Sequence, residues 1–68
     1  MLTFTLEGEF IHLIQLLKAT DLVSSGGEAQ LVVSDGLVKY NGKVDLRKRL
    51  KVRKGDTVEF EKQLIKII

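Results

Sequence analysis

The stretch "SSGGEAQLVVSDGLVKYNGKV", Ser24 to Val44, decides how this chain folds. Ser25 followed three residues later by Glu28 is a capping-box pattern, in which side chains satisfy the backbone N–H groups that open a helix. Ala29, Val32 and Val33 supply a buried face at helical spacing, and Gly36 is a suitable stop. Directly afterwards, "LVKYNGKV" alternates apolar and polar residues around Asn41-Gly42. A type I′ turn needs positive φ at both central positions, so Asn-Gly in this setting marks a β-hairpin. Two-residue register places Val38 and Tyr40 on the same face as Lys43 and Asp45, so a bulge or a short second strand is expected. A helix running into a hairpin makes the chain α+β.

Upstream, "EFIHLIQLLKAT" places Phe10, Leu13, Ile14 and Leu17 at i, i+3, i+4 and i+7, with Ile11 and Leu16 widening the stripe. The spacing predicts a first, largely buried helix over 9–20, with His12, Gln15 and Lys18 as its polar positions. "LTFTLE" at the N-terminus has the period of two of a half-buried strand. Downstream, "RLKVR" alternates again with Leu50 and Val52 inward, and Lys54-Gly55-Asp56 is a turn. "TVEFEKQLIKII" reads as a final hairpin turning near Glu61-Lys62, with Val58, Phe60, Ile65 and Ile67 in the core. The expected architecture is an N-terminal strand and a two-helix unit packed on a small, mostly antiparallel sheet of hairpins.

Sixty-eight residues make a single domain, 1–68, that buries only about 60% of the surface its unfolded chain exposes. Without cysteine, and with His12 as the lone histidine, neither disulfides nor a metal can staple it. Apolar packing must hold it, and 44% hydrophobic residues make that feasible. No apolar run approaches the roughly 18 residues of a membrane span, and "MLTFTLEGEF" lacks the basic start and apolar block of a signal peptide. A cytoplasmic protein with no membrane association, no cofactor and no metal is expected, acting as a monomer.

Charge is segregated. Residues 39–54 hold eight bases and one acid, a net +7, while the rest holds three bases and eight acids, a net −5. A basic patch on an otherwise acidic domain attracts polyanions in one orientation. Arg47 and Arg49 suit bidentate phosphate contacts, and Lys48 and Lys51 act as point charges. With no Trp, and with Tyr40 assigned to the hairpin core, a stacking platform for single-stranded bases is not expected. Backbone and shape of structured RNA are the expected target. Gly26-Gly27 admits two readings: a tight helix entry with close helix packing, or exposed N–H groups that accept phosphate. Catalysis finds no support. There is no nucleophile–histidine–acid spacing, and the pairs Glu7/Glu9 and Glu59/Glu61 lie at strand period on solvated faces. The alternative to nucleic acid is an adaptor whose basic strand meets an acidic protein partner.

The ordered set Gly26-Gly27-Glu28-Ala29, Gly36-Leu37-Val38-Lys39-Tyr40-Asn41-Gly42, Arg47-Lys48-Arg49 and Gly55-Asp56-Thr57-Val58, after "FIHLIQLLK", covers nearly the whole chain. It resembles the RNA-binding domain named after ribosomal small-subunit protein S-four, whose hallmark is the αL motif, and above all its small stand-alone bacterial members. The resemblance implies a non-catalytic, ribosome-associated role on ribosomal or transfer RNA. It implies an RNA surface at Gly26, Gly27, Gln30, Lys39, Asn41 and Lys43, flanked by Arg47, Lys48 and Arg49. His12 stands where the family often has a basic residue opening the first helix. One departure matters: position 30 is commonly Lys in the family and is Gln here, so helix two carries no base. The load shifts to the hairpin region and to glycine backbone groups.

Overall fold

The computed structural model describes residues 2–68, and in it the central stretch folds nearly as its sequence dictates. Helix α2 spans Gly26–Ser34, and the Ser25 hydroxyl accepts the Glu28 N–H at 3.1 Å. The reciprocal half of the box is displaced by one residue. The Glu28 carboxylate accepts from the Ser24 N–H at 2.7 Å and from the Ser24 hydroxyl at 2.9 Å, leaving Ser25 N–H aside. At the other end Gly36 takes φ +74°, and the N–H groups of Gly36 and Leu37 reach the carbonyls of Val33 and Val32, both at 3.1 Å. That pairing is the Schellman stop, which needs a residue at ease in the left-handed region.

The hairpin follows. Strands β3 (Val38–Tyr40) and β4 (Lys43–Val44) pair with Tyr40 opposite Lys43 and Lys39 opposite Val44. The turn has φ +50° at Asn41 and +89° at Gly42, as type I′ requires. The second strand is short, two residues, and its pairing ends with Asp45 N–H on the Val38 carbonyl at 3.2 Å. Strands β6 (Thr57–Phe60) and β7 (Gln63–Ile67) form the last hairpin. Its turn at Glu61 and Lys62 also adopts positive φ at both positions, without glycine. With β1 (Leu2–Phe4) the sheet runs β1-β7-β6-β3-β4, antiparallel except for the parallel β1–β7 pair.

The first helix corrects the sequence expectation. Helix α1 spans only Leu13–Ala19, and Ile11–His12 form a strand, β2, that pairs antiparallel with β5 (Lys51–Val52). A second, two-stranded sheet therefore stands beside the five-stranded one. The stripe over 10–17 is apolar at helical period, but its first residues find ladder partners some 40 positions away, and tertiary pairing overrides a weak local preference. The exchange leaves few orphan donors. The N–H groups of Leu13 and Ile14, in the first turn of α1, reach the carbonyls of Leu50 (2.9 Å) and Lys48 (3.3 Å). Two consequences follow. Phe10, expected in the core, is 37% exposed. The expected strand "RLKVR" shrinks to Lys51–Val52, and residues 45–50 form an irregular loop draped over the start of α1.

One core holds the pieces together. Leu13, Leu16 and Leu17 from α1 and Ala29, Val32 and Val33 from α2 pack with Val38, Val52, Val58, Phe60, Ile65 and Ile67. Leu6 and Val23, from the connections, are also buried.

Candidate nucleic-acid interface

The basic region is positioned by one carboxylate. Asp56 Oδ2 accepts the Tyr40 hydroxyl at 2.6 Å and the Arg53 N–H at 2.8 Å, while Oδ1 accepts the Asn41 amide at 3.3 Å. Asn41 is committed further: its Oδ1 accepts the Thr57 N–H at 2.8 Å, and its own N–H donates to the Thr57 carbonyl at 2.8 Å. The tip of the β3–β4 hairpin is thereby clamped to the turn at 53–56. Burial works to raise the Asp56 carboxyl, but the hydrogen bonds from Tyr40, Arg53 and Asn41 outweigh it and hold the group below the usual carboxylate range. The same contact, with some burial, raises the Tyr40 phenol.

From this anchor the chain presents an open concavity of about 450 Å³, lined by Arg47, Arg49, Leu50, Lys51 and Arg53. No carboxylate lines it. The four cations are not equivalent. Arg47 grips Asp45 with two guanidinium nitrogens, Nε to Oδ1 at 3.0 Å and Nη2 to Oδ2 at 2.7 Å, and its N–H also donates to Oδ1 at 2.9 Å. Hydrogen bonding to Arg47, against some burial, holds the Asp45 carboxyl below its ordinary range. The same bond raises the Arg47 guanidinium, so both groups stay ionised. It is the only ion pair among the described residues. Arg49, Lys51 and Arg53 have no ionic partner, and two of them hover over the ring of Phe10: Lys51 Nζ lies 4.9 Å and Arg53 Cζ 5.8 Å from its centroid. His12 stands 5.4 Å from the same ring, opposite Lys51 in the β2–β5 ladder.

The other expected residues are dispersed. Lys39 and Lys43 are exposed on the hairpin, and Lys48 is exposed in the loop, where its carbonyl serves α1. His12 ends β2 and precedes α1 rather than lying within a helix. Gly26, Gly27 and Gln30 lie on α2, outside the lining of the cleft. The packing reading of the two glycines does not hold, because a Cβ at Gly26 would meet nothing within 4 Å and one at Gly27 only the Ser25 hydroxyl at 3.9 Å. Their helix end already carries a negative group, the Glu28 carboxylate folded onto Ser24, whose hydrogen bonds keep it below its ordinary range. Arg53 and Phe10 were not among the expected site residues. Arg53 belongs to the basic run and was within reach of the charge count. Phe10 was hidden by a pattern that fits a helix. Among the described residues no cluster of His, Asp or Glu is placed to hold a metal, and no helix is long and apolar enough to cross a membrane.

Comparison with known proteins gives a consistent answer. The family model described as "S4 domain" matches residues 4–68. Over 69 residues, the whole of this chain and 99% of the other, there is 35% identity to an Escherichia coli strain K12 protein named "Putative RNA-binding protein YbcJ". The solution structure of YbcJ, described as revealing an αL motif involved in RNA-binding, superimposes with a TM-score of 0.77 over 100% of this chain and 87% of that one. A Bacillus subtilis strain 168 protein named "Probable ribosome maturation protein RlbA" is 39% identical over 57 residues, 84% of this chain and 80% of its own. The ribosomal protein S4e of Thermoplasma acidophilum shares the fold, with a TM-score of 0.71 at 24% identity over 85% of this chain and 31% of that one.

Proposed function

The chain belongs to the S4 domain family, and on that premise we propose that it is a non-catalytic protein of structured RNA that seats the phosphate backbone on Arg49, Lys51 and Arg53 in the cleft, with Arg47, paired to Asp45, at its wall. The observation that carries this reading is the concavity itself: four cations and one leucine, with no acid in the lining. Neutralising phosphates there releases condensed counterions, the main source of affinity for such a surface. Lys48, Lys39 and Lys43 extend the field along the loop and hairpin, and His12 borders it. Gly26, Gly27 and Gln30 contribute a second, weaker contact, made through the uncharged Gln30 amide because the Glu28 carboxylate on that helix end keeps phosphate from the glycine N–H groups. Asn41 acts by holding the hairpin tip in place. The name borne by the Bacillus relative makes ribosomal RNA the first substrate to try.

The test is a fluorescence-anisotropy titration with a ribosomal RNA hairpin at 50 and 200 mM salt. Binding that weakens with salt by roughly 0.7–0.9 log units per log salt for each phosphate contact is expected. Salt-insensitive retention of a protein partner after nuclease treatment, with no affinity for the hairpin, overturns the reading in favour of an adaptor.

A further inference from the structure

Phe10 belongs to two surfaces at once. Its ring lies beneath Lys51 and Arg53 at the margin of the basic cleft. It also forms a wall of a separate depression of about 320 Å³, lined by Phe4, Thr5, Leu6, Glu7, Phe10 and Ile11. That size is at the lower end of small-ligand sites, which run from about 300 Å³ upward. A large aromatic left 37% exposed beside unpaired cations is an arrangement that core packing does not call for. We infer that this depression takes one unpaired nucleobase of the bound RNA, stacked on Phe10, with the adjoining phosphates on Lys51 and Arg53.

Charge fixes the orientation. Glu7 is the one carboxylate in the depression, so a phosphate is repelled from it and held on the cationic side. The same carboxylate offers an acceptor to the exocyclic amine of adenine, cytosine or guanine, which uracil lacks. The two cations leave the ring readily, because an exposed cation–π contact is weaker than a charge-assisted bond to phosphate. Base stacking on an aromatic ring is tolerant of base identity, so the site prefers an unpaired base over a paired one first and an amine-bearing base second. The depression thus adds local, single-nucleotide recognition to a surface that otherwise reads backbone charge.

This inference rests on the RNA-binding reading, and the experiment separates the two. Three hairpins are compared: fully paired, with a single bulged adenosine, and with a single bulged uridine. The wild-type chain is expected to bind the adenosine bulge best and the fully paired stem least. Phe10→Leu, which keeps an apolar side chain and removes the π face, is expected to lose roughly 5- to 150-fold on the adenosine bulge, the range for one stacked base, and far less on the paired stem, where only the ring's contact with Lys51 and Arg53 is lost. Phe10→Tyr restores the preference. In the wild-type chain the Phe10 ring protons shift upfield with the bulged hairpins only, a readout independent of how the variants fold. Equal affinity of Phe10→Leu for the bulge, equal loss on both stems, or no ring shift overturns the base site while leaving RNA binding intact. Failure of the wild-type chain to bind any of the three overturns both.

Discussion

Replacing Arg49 and Arg53 together by alanine should cut the salt dependence of RNA binding by a definite amount. Both side chains are exposed, and Arg53 serves the Asp56 anchor through its backbone N–H, so the fold should survive. Arg47 is already neutralised by Asp45, which leaves three cations in the cleft without ionic partners. With one phosphate on each, the cleft contributes a slope of roughly 2.1–2.7 log units per log salt, and the double variant roughly 0.7–0.9. Between 50 and 200 mM salt, the cleft's share of affinity then falls roughly 20- to 40-fold in the wild-type chain and roughly threefold in the variant. Lys39, Lys43 and Lys48 add to the slope equally in both proteins, so the difference of roughly 1.4–1.8 is the measured quantity. Anisotropy titrations at four salt concentrations, with one-dimensional NMR spectra to check folding, give it directly. An unchanged slope in a folded double variant refutes the cleft as the phosphate site. A control sharpens the result: removing the neutral pair by Asp45→Asn with Arg47→Gln should leave the slope where it was.

Asp45→Asn alone frees the Arg47 fork while keeping an acceptor for the Arg47 N–H, so RNA should bind more tightly and the slope should steepen by roughly 0.7–0.9; looser binding in the same titration contradicts the pairing seen here. Asp56→Ala removes three hydrogen bonds at a half-exposed site, about 1–3 kcal/mol in all, and should lower Tm by about 5–15 °C in a chain of this size. A shift below about 2 °C in circular-dichroism melting counts against its anchoring role. The pH dependence follows from the two shifts at that contact. The depressed Asp56 carboxyl stabilises the fold at and above its unfolded-state value, about 3.9, and that contribution is lost as pH falls through the lower folded value. The raised Tyr40 phenol stabilises it below about 10 and ceases to as pH rises through the higher folded value. Melting curves of the wild-type chain should therefore sag at both extremes, and those of Asp56→Ala should sag less.

The central stretch was legible because its signals are local. A serine with a glutamate three residues on, a glycine past the last apolar residue, and Asn-Gly between alternating flanks each act within a few positions, and each folds nearly as read. The final hairpin was equally open to reading, since Val58, Phe60, Ile65 and Ile67 alternate cleanly and all four are buried. The errors share a cause of the opposite kind. Phe10 and Ile11 satisfy the helical spacing of Leu13 and Leu17, and nothing nearby forbids a helix. What removes them is β5, 40 residues downstream, which offers ladder hydrogen bonds to Ile11 and His12 while Leu50 and Lys48 supply carbonyls to the shortened helix. A short apolar run cannot reveal whether a distant partner will claim it.

The same non-local pairing determines what the basic run can do. As a charge count, residues 39–54 form one patch at +7. In the fold they divide into a hairpin, a loop and a two-residue strand, and the part from Arg47 to Arg53 lines a concavity. Within that part, Asp45 lies two residues from Arg47 and takes it with both carboxylate oxygens, accepting the Arg47 N–H as well. That is an Asx-type turn, a local feature that composition passes over. The partner missing from the charge count is aromatic. Because β2 pairs with β5, Phe10 and His12 are carried out of the first helix and set beside Lys51 and Arg53. Had the first helix begun at Glu9, the β2–β5 pairing that sets this ring beneath the two cations would be lost. The departure from the expected helix is what gives the surface a means to tell a looped base from a paired one.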